Sequence, residues 1–314
     1  MEEFDLAMDR QGFIGLRVLP VMEVAEQAGS FGKITIESLL RSAVTDRTSK
    51  GGYNRDEFEF TTDTFATKEN GFEARVDDRD RRLYANYFDC EEVAARRAMD
   101  MVLRNQEKRA ASLLWNTTTW TGAALTTAVS TAWTIANKAS ATPVDDVEAA
   151  VRKVWTGTGM WPNALILSHL AFRNLAFNAQ IIDKIVASGA GQPAKPADVN
   201  LNMLASVFNL PRIIVAGSAK ATNNPGQTIT IASVWSNDYA MVARLPETND
   251  IREPCLGRTF HWGADGSAIG GLVESYRDET VRSDIIRVRH ETQEKVLYKE
   301  MAHLLSNVNG GTAS

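Results

Sequence analysis

The stretch DCEEVAARRAMDMVLRNQEKRAASLLW, Asp89 to Trp115, decides how the rest of the chain is read. Asp89 is a capping residue type, and Glu92 stands three places on, where its carboxylate would reach back to the cap amide. Ala95, Met99, Val102, Leu103, Ala110, Leu113 and Leu114 return at helical spacing and line one face. Arg96, Arg104, Lys108 and Arg109 lie elsewhere around the cylinder or flank that stripe. At ~1.5 Å per residue the helix would be about 40 Å long, more than a typical globular helix. It is predicted to be a spine on which other elements are laid.

Upstream, the pattern changes. From Lys33 to Phe88 charges of both signs alternate (Arg41, Asp46, Arg47, Lys50, Arg55, Asp56, Glu57, Glu59), with β-prone residues between them and a Gly51-Gly52 turn signal. Phe58, Phe60, Phe65 and Phe72 are separated by polar residues, as a two-stranded ribbon requires. Such a ribbon is marginal in water and needs support, as a solvated meander on its own domain or by docking on an adjacent subunit. The second reading is preferred, and it makes Arg41, Arg47, Lys50, Arg55, Glu57, Arg79, Arg81 and Arg82 the candidate inter-subunit contacts. Further upstream, Met1 to Phe31 holds one compact apolar run, Val18-Leu19-Pro20-Val21-Met22-Glu23-Val24, broken by Pro20. It is expected to be an extended arm with one short helical turn before it, of the kind that reaches across a neighbour and seldom packs on its own domain.

Downstream, Asn116 to Ala141 is Thr- and Ala-rich irregular chain and strand. Thr142-Pro143 opens a helix with a Thr cap, Pro at the first position and Asp145 in the first turn; Val147, Val151 and Val154 form its buried face. Pro162-Asn163 introduces the short buried strand Ala164-Leu165-Ile166-Leu167. Leu170 to about Ala187 is one or two helices, Gly189 to Pro196 a mobile Gly/Pro loop, and Asn200 to Asn209 a further helix. Strands are expected at Arg212-Ile213-Ile214-Val215, Thr228 to Ser233, Tyr239 to Ala243, Thr259 to Trp262, Gly270 to Arg277 and Asp284 to His290. Glu294 to Leu305 fits a helix or a strand equally, and Gly310 to Ser314 a frayed tail.

Composition narrows the function. The 314 residues are 44% hydrophobic and 23% charged, ordinary for a globular chain with ample core. The net charge of -5 gives no global sign of a nucleic-acid grip, which suits a container wall better than a binder. Cys90 and Cys255 are far apart, which leaves no zinc pattern or disulfide framework and makes a reducing compartment the default. No apolar run approaches the ~20 residues of a membrane span. Glu2, Glu3, Asp5 and Asp9 have the wrong sign for a signal peptide, so the protein is expected to stay where it is made.

Chemistry-bearing motifs are missing: no P-loop, no GxGxxG after a strand, no GxSxG, no HExxH. His169 follows a predicted strand, but Ser168 beside it has no base oriented by an acid nearby. Asp77, Asp78 and Asp80 alternate with Arg75, Arg79, Arg81 and Arg82, which would neutralise a cation site. Cys90 at a helix N-terminus lacks a resolving partner and is taken as a buried small residue. No catalytic residue, cofactor or metal ligand is assigned.

The order of elements resembles the tailed-bacteriophage major capsid proteins of the Hong Kong 97-like fold, which encapsulins share. Val18-Leu19-Pro20-Val21-Met22-Glu23-Val24 resembles the family's LPV-type run after the arm, and Asn105-Gln106-Glu107-Lys108-Arg109-Ala110-Ala111 its spine helix. Trp161-Pro162-Asn163-Ala164-Leu165-Ile166-Leu167-Ser168 is similar to a PN-x-LVLS strand, and Asn202 to Leu210 to an LA-x-x-F-G-V helix. Ala232-Ser233-Val234-Trp235 resembles an IW strand, and Gly257-Arg258-Thr259-Phe260-His261-Trp262 a G-x-TF-x-W strand. Each motif alone is core pattern; in this order they span nearly the whole chain.

The resemblance implies an α+β subunit: N-terminal arm (1–32), extended β-ribbon loop (33–88), spine helix of a peripheral domain (89–119), α/β axial domain (120–245), and strands returning to the peripheral domain with a C-terminal tail (246–314). It implies a homo-oligomer of hexamers and pentamers in an icosahedral virion shell, assembled in the bacterial cytoplasm around double-stranded DNA without sequence-specific binding, with a portal and no membrane. The arm is short beside relatives that carry a scaffolding region, so a separate scaffold protein or a processed chain is implied. Some relatives cross-link through a Lys–Asn bond, but no matched motif gives Lys50 or Lys68 a partner. An encapsulin-like compartment is the alternative function; an α/β enzyme using Ser168 or His169 is the remote one.

Overall fold

The structure is a computed structural model that describes residues 12–42, 45–55, 57, 60–187, 199–224 and 226–311. Expectations placed on Met1–Arg10, Asp56, Phe58, Glu59, the 189–196 loop and the last three residues lie outside these. In chain order the first elements are α1 (Gly15–Val18), β1 (Val21–Val24), β2 (Ala28–Ile34), α2 (Ile36–Leu40), β3 (Phe60–Ala66), β4 (Lys68–Asp77), α3 (Asp78–Tyr84) and α4 (Cys90–Leu114). Then come β5 (Thr126–Ala128), α5 (Pro143–Thr158), β6 (Ala164–Ser168), α6 (His169–Leu175), α7 (Ala179–Ala187), α8 (Leu201–Phe208), β7 (Arg212–Ala216), β8 (Ala219–Ala221), β9 (Ile231–Ser233) and β10 (Ala240–Ala243). The last are β11 (Gly257–Trp262), β12 (Leu272–Asp278), β13 (Ser283–Val296) and β14 (Ala302–Ser306).

The spine helix forms as the sequence predicts: the Asp89 carboxylate accepts from the Glu91 and Glu92 amides. Glu92 does not close a capping box; its carboxylate pairs with Arg96 one turn on, at 2.7 Å. The buried face is also rotated from the predicted stripe, running Ala98, Val102, Gln106, Glu107, Ala110, Ala111 and Leu114. Two polar residues in that face mean that the helix packs around a polar contact, which apolar periodicity alone hides. Cys90, expected to be buried, is half-exposed.

Two five-stranded sheets flank the helix. The axial sheet has the order β5-β14-β10-β6-β7. Side chains of successive strand residues alternate between its faces. Leu165 and Leu167 meet α5 to α8, while Ala164 and Ile166 meet a second core built from Ile14, Val18 and Leu19, the end of α4, and Trp115, Trp120 and Trp235. The undecided segment 294–305 resolves into the end of β13, a short 3-10 turn (Lys299–Met301) and β14. β14 lies inside the axial sheet, antiparallel to β10 and parallel to β5, and does not return to the peripheral sheet. Its buried run Ala302-His303-Leu304-Leu305 fits a strand covered on both faces.

The peripheral sheet has the order β1-β11-β13-β12, with β4 along the other side of β13. Here the expected 33–88 loop is corrected at both ends. The ribbon is β2 paired with β3, Ala28↔Ala66 to Ile34↔Phe60, so it starts inside the segment assigned to the arm. β4 leaves the ribbon and pairs with β13 over ten positions, from Lys68↔Thr292 to Asp77↔Ser283. Its half-polar alternation fits a strand with one open face; the other face sets Ala74 and Val288 against Ala98 and Val102 of α4.

The arm is corrected as well. From Phe13 onward it packs on its own subunit: Ile14, Val18 and Leu19 are buried, and β1 runs parallel to β11 from Val21↔Thr259 to Val24↔Trp262. Burying side chains of this size is worth ~1.5–3 kcal/mol each, ample reason for a short chain to fold back.

Candidate inter-subunit surface

Three segments meet at Glu107, which is 3% exposed in the middle of α4. Its carboxylate accepts from the Ile14 amide at 2.8 Å and the Gly15 amide at 2.7 Å, the unsatisfied first amides of α1, and from the Trp235 indole at 2.5 Å. Burial pushes its pKa up, against the pull of the Ile14, Trp235 and Gly15 donors. Two residues on, Arg109 grips Glu294 of β13 with two nitrogens, at 2.9 and 3.0 Å, and also donates to Asn70 and Thr292. This double contact has the planar geometry that makes Arg–carboxylate pairs strong. Glu107 and Arg109 thus tie the arm, the helix, the Trp235 segment and the peripheral sheet into one body.

On this body the ribbon has a firm root. Phe65 stacks on Phe260 at 5.0 Å between centroids, and Phe31 tilts against it at 5.7 Å. The Tyr298 hydroxyl donates to the Ile34 carbonyl at 2.9 Å, and Lys295 binds Asp63 and the Thr64 carbonyl. Cys255 lies in the same core, where burial pushes its thiol up to about 11.

Beyond Ile34 the anchoring thins to Ile36, at the edge of the same core, and Leu40, beside Gly159. α2 is capped by Thr35, whose hydroxyl accepts from the Ser38 amide at 3.2 Å, but none of its five residues is buried. Arg41, Arg47, Lys50, Arg55 and Glu57 all stand on the excursion and all are exposed. Arg47 braces the turn, donating to the Gly51 carbonyl at 2.8 Å and lying 4.7 Å over the Tyr53 ring. Lys50 occupies the turn at φ +117°, a conformation side chains rarely adopt, so Gly51-Gly52 marks the turn but does not hold its strained position.

Arg79, Arg81 and Arg82 are exposed too, but on α3, at the far end of β4 and roughly 30 Å along the strand from the ribbon. The sequence grouped them with the ribbon charges; the structure separates them. Arg81 pairs with Glu91 and, at 2.8 Å, with Asp284. Arg277 grips Asp78 at 2.6 and 2.7 Å and holds its carboxyl below the usual range. Asp77 caps α3 through the Arg79 amide at 2.8 Å, so the acidic run is spent on a helix start and ion pairs.

Sequence reasoning ranked charges and passed over apolar residues. Leu40 is 53% exposed and Tyr53 73% on the excursion, and Tyr87 is 69% exposed beside the stacked Tyr84–Phe88 pair. Trp155 and Trp161 stack at 5.4 Å with both rings in solvent. Leu39-Leu40 and Leu83-Tyr84 inside otherwise charged segments were the available signal, since buried aromatic and aliphatic anchors dominate interface energies.

Ser168 and His169 stand at the start of α6. The Ser168 hydroxyl caps α6, accepting from the Ala171 amide at 3.1 Å, and His169 is exposed at the helix start. Among the described residues no group of three His, Cys, Asp or Glu could hold a metal ion, and no helix is long and apolar enough to cross a membrane.

No family model matches the chain. The major capsid protein of Burkholderia phage BcepMu is 24% identical over 303 residues, covering 95% of this chain and 92% of that protein. A phage-related protein from Bordetella bronchiseptica RB50 superposes with a TM-score of 0.69 at 21% identity, covering 96% of this chain and 94% of the other. The encapsulin of the holo-SrpI complex from Synechococcus elongatus PCC 7942 superposes at 0.59 and 12% identity, covering 100% and 94%. The fold is the Hong Kong 97-like fold of phage capsids and encapsulins.

Proposed function

We propose that this chain is the major capsid protein of a tailed bacteriophage, a structural subunit that self-assembles into the icosahedral shell enclosing the phage's double-stranded DNA. The fold and the 24% identical phage relative, aligned over nearly their full lengths, support it. The observation that carries it is the excursion beyond Ile34, with Leu39, Leu40 and Tyr53 turned to solvent on a root that is tightly packed. Apolar surface on a long appendage gains stability only when another surface covers it, and a shell supplies sister copies.

In this reading the excursion lies over a neighbouring subunit within hexamers and pentamers. Leu39, Leu40 and Tyr53 supply burial there, and Arg41, Arg47, Lys50, Arg55 and Glu57 set register through complementary charge. Arg79, Arg81 and Arg82 serve a separate contact at the α3 end. A separate scaffold protein and a portal complete the assembly, which takes place in the bacterial cytoplasm. An encapsulin-like compartment is the second reading, favoured by the full coverage against the Synechococcus encapsulin.

The test is negative-stain microscopy and sedimentation of the purified protein and of a variant in which residues 36–59 are replaced by a short turn. The deletion stops there because β4 and α3 belong to the subunit body. The full chain should form closed particles and the variant a folded subunit that does not. A full-length protein that stays a monomer at high concentration, or a variant that still closes shells, overturns the reading.

A further inference from the structure

We infer that a groove straddling α4 binds the phosphodiester backbone of nucleic acid. Two adjoining hollows share Asn105 and Lys108; one continues over Ser112, Lys220 and Ser236, the other over Asn70 and Arg104. No carboxylate lines either hollow. Elsewhere on this chain of net charge -5, several surface arginines are matched to carboxylates. Arg277 meets Asp78 and Asp284, Arg287 meets Glu73, and Arg289 meets Asp265 and Glu274.

At the groove's borders the same matching holds: Arg104 pairs with Asp100 at 3.0 Å and Arg109 with Glu294 at 2.9 Å. Among the described residues, the ammonium groups of Lys108 and Lys220 have no carboxylate partner. They stand on two different elements, α4 and β8, and face one hollow. Past Phe72 the surface takes in Glu73, Asp77 and Asp80, so the carboxylate-free stretch has a definite end.

Two lysines as point charges, with amide and hydroxyl donors of Asn70, Asn105, Ser112 and Ser236 between them, are the donor set that proteins place on phosphate oxygens. Arginine forks would suit carboxylate and phosphate alike, and the two arginines here are already engaged, which leaves the two ammonium groups as the available cations. Trp115 in its wall is buried, and Phe72 at the edge of the second hollow is a lone aromatic face, too little to stack successive bases, so the contact is chiefly with backbone. The shell reading supplies the biological source of the polyanion; the groove's chemistry does not depend on it.

The experiment uses the full-length protein before assembly, a fluorescent DNA duplex of about 20 base pairs, and anisotropy across a salt series from roughly 25 to 200 mM. The wild type should bind with salt-dependent affinity. Lys108→Gln with Lys220→Gln should weaken binding about ten-fold at low salt and flatten the log–log salt slope by about two, one for each lost phosphate contact. Lys138→Gln with Lys184→Gln, which removes the same charge from a turn before α5 and from α7, should change neither. No binding by the wild type, or equal losses in both double variants, overturns the inference. Displacement of the duplex by polyglutamate at equal charge concentration would assign the groove to an acidic protein and overturn it as well. Microscopy of the same preparations separates the two proposals: intact shells with no groove effect sink only the groove, and a groove effect without shells sinks only the shell.

Discussion

Residues 12–24 and residues 35–57 both leave the compact domains as short chain with little continuous apolar pattern, and they end in opposite circumstances. The first contributes Ile14, Val18 and Leu19 to the core under the axial sheet, adds β1 to the peripheral sheet, and gives two amides to Glu107. The second touches its own domain through Ile36, at the edge of the ribbon-root core, and Leu40, beside Gly159, yet leaves Leu39, most of Leu40 and Tyr53 in solvent, with the Arg47 brace in its turn. The difference lies in available partners. The arm runs past a helix with a buried carboxylate and a sheet with an open edge; the excursion finds only the rim of the ribbon-root core, for Ile36, and Gly159, for Leu40. An appendage is therefore not by itself a mark of a contact between copies.

If the arm is a structural part of the subunit, Glu107→Ala should give the largest effect. It orphans two buried amides and an indole, each ~1–3 kcal/mol, so urea unfolding of the unassembled subunit should show a loss of about 4 kcal/mol. A loss under ~1 kcal/mol would mean the arm is not held there. Leu19→Ala, in the same core, should cost about 3 kcal/mol by transfer and cavity terms together.

The pH response should belong to the anchored part alone. His303 of β14 donates Nδ1–H to the Ala124 carbonyl at 2.9 Å, which leaves Nε2 to accept from the Thr127 hydroxyl at 2.8 Å. Burial lowers its pKa from 6.5 to about 4, and nearby Lys153 adds to the effect. The unfolded chain therefore takes up this proton first. Stability from the neutral ring is complete above the unfolded value and is lost as pH falls from 6.5 toward about 4, on the order of 3 kcal/mol at most. Unfolding curves for a His303→Gln variant should be flatter across that window, while deletion of 36–59 should leave the wild-type slope.

The smallest stability effect should come from the excursion. Leu40→Ser with Tyr53→Ser should shift unfolding by less than about 0.5 kcal/mol, as exposed positions do. The same variant should lower the yield of closed particles in sedimentation. A large stability loss would place these side chains in the subunit's own core.

The sequence carried α4, its Asp89 cap and the Pro143 helix start legibly, because caps, proline and apolar spacing act within a few residues. It carried β6 for the same reason: Ala164 to Leu167 is apolar without a break. The failures are long-range. β4 mimicked a ribbon strand because one face is open, and its true partner β13 lies more than 200 residues on. The arm's destination depends on Glu107, 93 residues from Ile14, and no local pattern announces a buried carboxylate. Among the candidate contacts, charge alternation located the exposed ribbon tip but grouped α3 with it, since sequence adjacency cannot show that β4 separates them.

β13 runs unbroken for 14 residues, roughly 46 Å, with β4 along its first ten, β12 along its first half and β11 along its end from Thr292 to Val296. At one end Lys295 holds the ribbon through Asp63; at the other Asp284 holds α3 through Arg81. A pull on the excursion by whatever covers it is thus taken up as tension in one continuous backbone, in shear against three strands, and delivered to α3 without crossing a loop. The excursion's root and α3 are thus coupled through one strand, so that a load placed on either would reach the other.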